Sequence, residues 1–378
     1  MKTFIPIEGF QDDSVINFSF EITQQCNFRC AYCCFSGDYA KMRKHSSLSM
    51  TLDTVSDAVE FLKKHAQRAD TIYLSFFGGE ALLHRELVDY AIRSLRLHYG
   101  DRIYFDLSTN GYLLDDKTVD WICSYDKFGV SVSLDGNQHV HDRNRKTVSG
   151  KPTFRTVHRN LRRFKERYPD EYNERIRLLM TLGSLSDIRL IAEDWEEIKF
   201  LSGVKPVFIN HIKPDYDHGL LYRDTLAEKQ AFYDQALRYK LEGTDNLYTF
   251  LLDELISKLD DPKEFPDTAE IPTGTCLNTM TTMFISADGR VYACEKFAQN
   301  HYVGDIWNGI INKRLRILIS ATIQRRNKLC ASCKYLPYCR RCPADLKETD
   351  AQTMAYCEDF IENIDLALYY KSQLKCRL

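Results

Sequence analysis

Two periods alternate along the first part of this 378-residue chain. Segments 15–22, 71–77, 103–107, 129–134, 176–181 and 205–212 are short, rich in β-branched and aromatic residues, and predict strands. Between them apolar positions recur at helical spacing, as in Val55, Ala58, Val59, Leu62 and Ala66. The spacing predicts helices near 52–66, 83–97, 118–124, 153–167, 188–200 and 227–241. Strand-then-helix units in series make a parallel sheet covered by helices. Six such units are fewer than the eight that close a barrel, so the pattern predicts an α/β fold built on an open, partial (β/α)6 barrel. Chemistry on such a sheet belongs at the C-terminal strand ends, where Cys26, Gly78, Asn110 and Asp135 fall.

Beyond the sixth unit the pattern changes. A stretch over 226–270 reads as a helical bridge and the remainder is cysteine-rich, so domains at 1–225, 226–270 and 271–378 are expected. Within the last, segments 282–285 and 290–293 flank Ser286-Ala287-Asp288-Gly289, which reads as a hairpin with an Asp-Gly turn.

Charge and composition narrow the function. The chain is 44% hydrophobic and 28% charged with a formal net charge of −2, which gives no whole-molecule field for holding nucleic acid. The basic run Arg159 to Arg163 sits at helical spacing and reads as a solvated helix face. No apolar run approaches the ~20 residues that span a bilayer. The first residues lack a signal-peptide core, so a cytoplasmic protein without nucleic-acid or membrane partners is expected. The cytosol keeps thiols reduced. The thirteen cysteines nonetheless group at Cys26 to Cys34 and at Cys276 to Cys357, with only Cys123 and Cys376 apart, which points to metal centres at both ends.

The segment Cys26-Asn27-Phe28-Arg29-Cys30-Ala31-Tyr32-Cys33 sets three thiols on a short loop after the first strand. Thiolates select zinc or iron–sulfur clusters. On a four-iron cubane, three cysteines leave one iron open to a ligand that is not protein. Cys34 adjoins Cys33 and reads as a packed structural thiol. This spacing resembles the signature of the radical S-adenosylmethionine (radical SAM) enzymes. The resemblance implies a 4Fe–4S cluster on Cys26, Cys30 and Cys33, its open iron chelating the amino and carboxylate groups of S-adenosylmethionine (SAM).

Two further segments extend the resemblance. Gly78-Gly79-Glu80 is by itself a common turn, whose glycines permit close ligand approach and whose carboxylate can accept from an ammonium group. Placed one βα unit after the cysteine loop, it resembles the radical SAM motif that holds the methionyl amino group. The run Ser133-Leu134-Asp135-Gly136, continued by His141-Asp142 and Arg145, is by itself a turn with local salt bridges. It resembles a stretch of peptide- and protein-modifying radical SAM enzymes, which implies Ser133 and Arg145 near the cofactor carboxylate. Asn110 matches a third-strand ending of those enzymes, and equally a plain Asn-Gly turn. His141-Asp142 reads as structural.

The C-terminal cysteines run Cys276, Cys294, Cys330, Cys333, Cys339, Cys342 and Cys357. Two CxxC pairs alone also fit a zinc knuckle, although zinc ribbons separate their pairs more widely. The spacing resembles the SPASM domain, a C-terminal extension with two auxiliary 4Fe–4S clusters. The resemblance implies one cluster on Cys330, Cys333, Cys339 and Cys357 and another on Cys276, Cys294 and Cys342; with no eighth cysteine, the latter has either an open iron or a ligand that is not cysteine. The family usually has three residues, not two, before the position of Cys342.

Together these resemblances imply a radical SAM oxidoreductase that acts on a precursor peptide or protein and draws electrons from an external low-potential donor. Cofactor cleavage would give a 5′-deoxyadenosyl radical that abstracts a side-chain hydrogen. The expected outcome is a thioether or carbon–carbon cross-link in a ribosomally made peptide (a RiPP), because an open auxiliary iron suits a site that handles substrate. The 25 residues before Cys26 are too few for a separate leader-binding domain, which counts against it. The alternative is oxidation of a sulfatase cysteine or serine to formylglycine. A non-catalytic zinc or electron-carrier protein would have no use for the Gly78 to Glu80 and Ser133 to Arg145 segments.

Overall fold

Alternate residues of each barrel strand are buried, and that alternation sets which face meets the helices. The computed structural model describes residues 15–36, 44–212, 224–260, 262, 282–296, 301–339 and 350–377. The elements run β1 (Asn17–Thr23), α1 (Leu52–His65), β2 (Ile72–Gly78), α2 (Arg85–Tyr99), β3 (Ile103–Thr109), α3 (Asp116–Cys123), β4 (Phe128–Ser133), α4 (Gln138–Asn144), α5 (Phe154–Arg167) and α6 (Pro169–Arg175). They continue β5 (Ile176–Leu182), α7 (Leu185–Ile191), α8 (Trp195–Ser202), β6 (Phe208–His211), α9 (Leu226–Leu241) and α10 (Leu247–Ser257). The last are β7 (Thr282–Ile285), β8 (Arg290–Tyr292), β9 (Gly304–Asp305), β10 (Gly309–Ile310), α11 (Asn312–Cys330) and α12 (Asp350–Arg377).

Strands β1 to β6 are parallel neighbours in sequence order, the partial barrel the alternation predicts. Phe18, Phe20 and Ile22, Ile72, Leu74 and Phe76, and Ile103, Phe105 and Leu107 are at most 2% exposed and make the face packed under the crossover helices. Ser19, Ser75, Asp106, Ser108, Ser133 and Thr181 occupy the intervening positions, half-buried and polar. One face of the sheet is therefore core, and the other mixes these polar side chains with Tyr73, Phe77, Tyr104 and Leu179.

Helix starts follow from their caps. The Thr51 hydroxyl accepts from Thr54 N at the start of α1, Asp115 caps α3, and Asn137 caps α4. The single helix expected over 188–200 is two, α7 and α8, joined by a 3-10 turn at Ala192–Asp194. Ile188, Ile191, Trp195 and Ile198 are buried on both sides of that turn, so the apolar period reads straight through it.

The chain divides into two compact units. One holds the described residues of Gln11–Tyr222 and Met280–Leu315, the other those of Arg223–Thr279 and Arg316–Leu378. The β7–β8 hairpin is present with its Asp-Gly turn, but it joins the barrel sheet instead of opening a separate domain at 271. The reason is pairing: β7 runs parallel to β1, Phe20 opposite Ile285, and the buried Glu21 carboxylate accepts from Ala287 N at 3.1 Å. An otherwise bare edge of the sheet is thereby satisfied. In the other unit α9 and α10, expected as a bridge, pack with α12 through Ala236, Leu252, Leu255, Ile364, Ala367 and Tyr370. Among the described residues no helix is long and apolar enough to cross a membrane.

Candidate active site

The cysteine loop leaves β1 and is fastened to two other strand ends. Gly79 N donates to Thr23 O and Glu80 N to Gln25 O, each at 2.8 Å. A side chain on Gly78 would put its Cβ 2.2 Å from Thr23 O, and one on Gly79 would reach 2.1 Å from Gln25 O. The glycines are thus required by a backbone-to-backbone approach to the cysteine loop, where the sequence alone gave a ligand approach. On its other side the loop pairs with the segment after α4, through Arg29 N to Lys146 O and Ala31 N to Asn144 O at 2.8 and 2.9 Å. Two segments far apart in sequence are zipped together there.

Glu80 is fully buried, and its carboxylate accepts from Leu82 N at 3.2 Å, Thr109 Oγ1 at 2.8 Å and Asn110 N at 2.8 Å. Burial pushes its carboxyl up to about 7 even though these donors pull it down. Asn110 turns its Nδ2 to Asn27 Oδ1 at 2.7 Å, with the Cys26 sulfur at 3.9 Å.

Arg145 is buried with its Nε 2.7 Å from Asp135 Oδ2, and its guanidinium lies over the Tyr32 ring at 5.3 Å. The Tyr32 hydroxyl bonds the same carboxylate oxygen, while Asp135 Oδ1 accepts from Thr181 N at 2.9 Å. His141 closes the network structurally. Burial pushes it down to about 4, so the ring is neutral. Its Nδ1 accepts from Asp135 N at 3.2 Å, which puts the proton on Nε2, 3.1 Å from Thr153 Oγ1. The sequence gives Tyr32 no role and places Asp135 only at a strand end, without a partner. Ser133 ends β4, and its hydroxyl has no hydrogen-bond partner among the described residues.

The three loop thiols share this corner. Cys26 is pushed up to about 11 and Cys33 to about 12, chiefly by burial and in part by the neighbouring thiols. Cys30 is raised too, burial outweighing the lowering effect of the Arg145 guanidinium bonded to it. Buried thiols of this kind hold their protons until a cationic metal centre displaces them. No three His, Cys, Asp or Glu side chains among the described residues are close enough to share one metal ion. An iron–sulfur cubane does not ask that of its ligands, since each thiolate takes a different iron. The donor set therefore fits a cluster.

Residues 20–191 match the radical SAM superfamily. They form a radical SAM domain. The cofactors of a radical SAM enzyme are SAM and a 4Fe–4S cluster, and the fit of Cys26, Cys30 and Cys33 is to that cluster. Outside the domain the likeness continues. The chain is 26% identical to the cysteine-type anaerobic sulfatase-maturating enzyme of Clostridium perfringens (strain 13 / Type A), over 90% of this chain and 93% of that one. It superposes on native anSMEcpe with bound AdoMet and Cp18Cys peptide with a TM-score of 0.66 at 20% identity, covering 96% of this chain and 100% of that one. Streptococcus suis SuiB bound to S-adenosylmethionine gives a TM-score of 0.53 at 13% identity, over 87% of this chain and 70% of that one. These structural likenesses speak to the fold.

Of the C-terminal cysteines, Cys330, Cys333 and Cys339 pack around Leu336. Cys333 N bonds Cys330 O at 3.0 Å and Cys339 N bonds Leu336 O at 3.0 Å, two turns that keep the thiols local. Cys357 lies on α12 in the same unit. Cys294 is buried just past β8, its sulfur 3.0 Å from Glu295 Oε2. Cys276 and Cys342 lie outside the described residues.

Proposed function

We propose that this radical SAM enzyme matures a protein substrate by oxidising a cysteine or serine side chain to the formylglycine aldehyde. The observation that carries the reading is the end-to-end alignment with the C. perfringens sulfatase-maturating enzyme, which extends well beyond residues 20–191. It favours this outcome over the peptide cross-link that the cysteine count alone favoured.

Bound SAM and the reduced cluster supply a radical that removes one hydrogen atom from the substrate side chain. The chain's residues do the rest. Cys26, Cys30 and Cys33 hold the cluster at the end of β1, and Gly78, Gly79, Glu80 and Asn110 form the wall toward the methionyl amino group. Ser133 and Arg145 bound the carboxylate side. The mixed face of the sheet receives the substrate segment, and burial at the strand ends keeps water from the radical. Loss of an electron and a proton would then give the aldehyde directly from serine, whose oxygen is retained, and a thioaldehyde from cysteine, which water hydrolyses to the aldehyde with release of hydrogen sulfide. Cys330, Cys333, Cys339 and Cys357, and Cys276, Cys294 and Cys342, would hold two auxiliary clusters of a SPASM domain, which would supply an acceptor for that electron.

The test is anaerobic turnover with SAM, a reductant and a sulfatase-derived peptide carrying Cys, then Ser. Mass spectrometry should show an aldehyde formed in step with 5′-deoxyadenosine. Iron should be on the order of 12 per chain, falling by about four in a chain with Cys26, Cys30 and Cys33 all changed to Ala. Deoxyadenosine without aldehyde, together with cross-linking of a peptide encoded beside the gene, would restore the cross-link reading.

A further inference from the structure

We propose that His45 is a positioning residue for the cysteine-loop cluster, donating a hydrogen bond from Nε2 to the Cys33 sulfur and raising the potential at which the cluster accepts its electron. This rests on reading Cys26, Cys30 and Cys33 as the cluster's ligands. His45 Nε2 lies 3.5 Å from Cys33 Sγ and its Nδ1 lies 3.3 Å from Gln24 O. Its backbone N donates to Phe35 O at 2.9 Å, so the half-buried ring is fixed between the exit of β1 and the last cysteine of the loop. Once Cys33 is a thiolate both ring nitrogens face acceptors; the neutral ring has one N–H, and the charged sulfur, a stronger acceptor than the Gln24 carbonyl, draws it to Nε2.

The other two sulfurs have donors of their own. Phe28 N donates to Cys26 Sγ at 3.4 Å and Arg145 bonds Cys30. Each loop sulfur therefore has an N–H donor from a different place: the loop backbone, the segment after α4, and the segment before α1. A hydrogen bond to a cluster thiolate stabilises negative charge there, and the reduced cluster carries more of it. Donors shift the potential upward, which eases reduction of the site. Nothing in the sequence marks His45, because it lies outside every motif and 12 positions from its partner.

The experiment is an EPR-monitored redox titration of reconstituted wild type, His45→Phe and His45→Gln, following the signal that changes when SAM is added, with iron counted in each. Phe removes the donor and Gln restores one. The expected result is a more negative midpoint and altered g values in His45→Phe, with His45→Gln returning toward wild type. Iron uptake by His45→Gln but not by His45→Phe also supports the donor role. A wild-type midpoint in iron-loaded His45→Phe overturns it, as does failure of both variants to take up iron, which marks a structural role. A Cys33→Ala chain that kept the SAM-responsive signal would instead sink the ligand reading itself.

Discussion

The Glu80 carboxylate accepts the Asn110 backbone N–H at 2.8 Å, so one buried acid ties the end of β2 to the end of β3. Folded, its carboxyl titrates at about 7 because burial disfavours the charge. Unfolded, it titrates near ~4.3. The folded state therefore holds the proton more tightly. The resulting stabilisation is complete below the unfolded value and lost as pH rises through about 7. Glu80→Gln cannot titrate. Urea unfolding of the apoprotein should show wild type losing on the order of 3 kcal/mol relative to Glu80→Gln between pH 4 and pH 8. Parallel pH profiles would mean that Glu80 ionises freely.

Gly79→Ala tests the backbone contact. With Cβ placed 2.1 Å from Gln25 O and 3.0 Å from Cys26 Cβ, the cysteine loop has to move. Destabilisation of at least ~2 kcal/mol and reduced iron loading are expected. An alanine chain with wild-type melting and iron would show that the loop tolerates the shift.

The Arg145–Asp135 pair is open to a double-mutant cycle. Both side chains are buried and joined at 2.7 Å, so removing either one strands a charge. Each single Ala variant should cost ~3–5 kcal/mol, and the double variant well under the sum of the two. Additive losses would show that the two side chains act independently.

The barrel was legible because its strands carry a clean period of two and its helices a period near 3.6, with caps at their starts. The fate of the β7–β8 hairpin was not. Its own sequence specifies a hairpin, but nothing in Thr282 to Tyr292 says which strand edge it meets; that depends on β1 having a free edge and on Glu21 offering a buried acceptor. The site divides the same way. Cys26, Cys30 and Cys33 are adjacent in sequence and announce themselves, whereas the contacts of Tyr32 with Asp135, and of Cys33 with His45, join residues whose pairing exists only after folding.

Ser133 and Arg145, both proposed to bound the cofactor carboxylate, differ in what else they hold. Arg145 has its Nε bound to Asp135 and its guanidinium against Tyr32 and Cys30, so its removal damages the fold and the cluster site along with any cofactor contact. Ser133 has a hydroxyl at the end of β4 with no partner among the described residues, so it is the cleaner probe. Ser133→Ala should leave apoprotein stability within about 0.5 kcal/mol of wild type. It should weaken SAM binding to the cluster-loaded enzyme by the worth of one hydrogen bond, ~1 kcal/mol or about fivefold in Kd. Unchanged affinity would remove Ser133 from the cofactor site and leave the carboxylate to backbone donors and Arg145. Lost stability with unchanged affinity would give the hydroxyl a role inside the sheet.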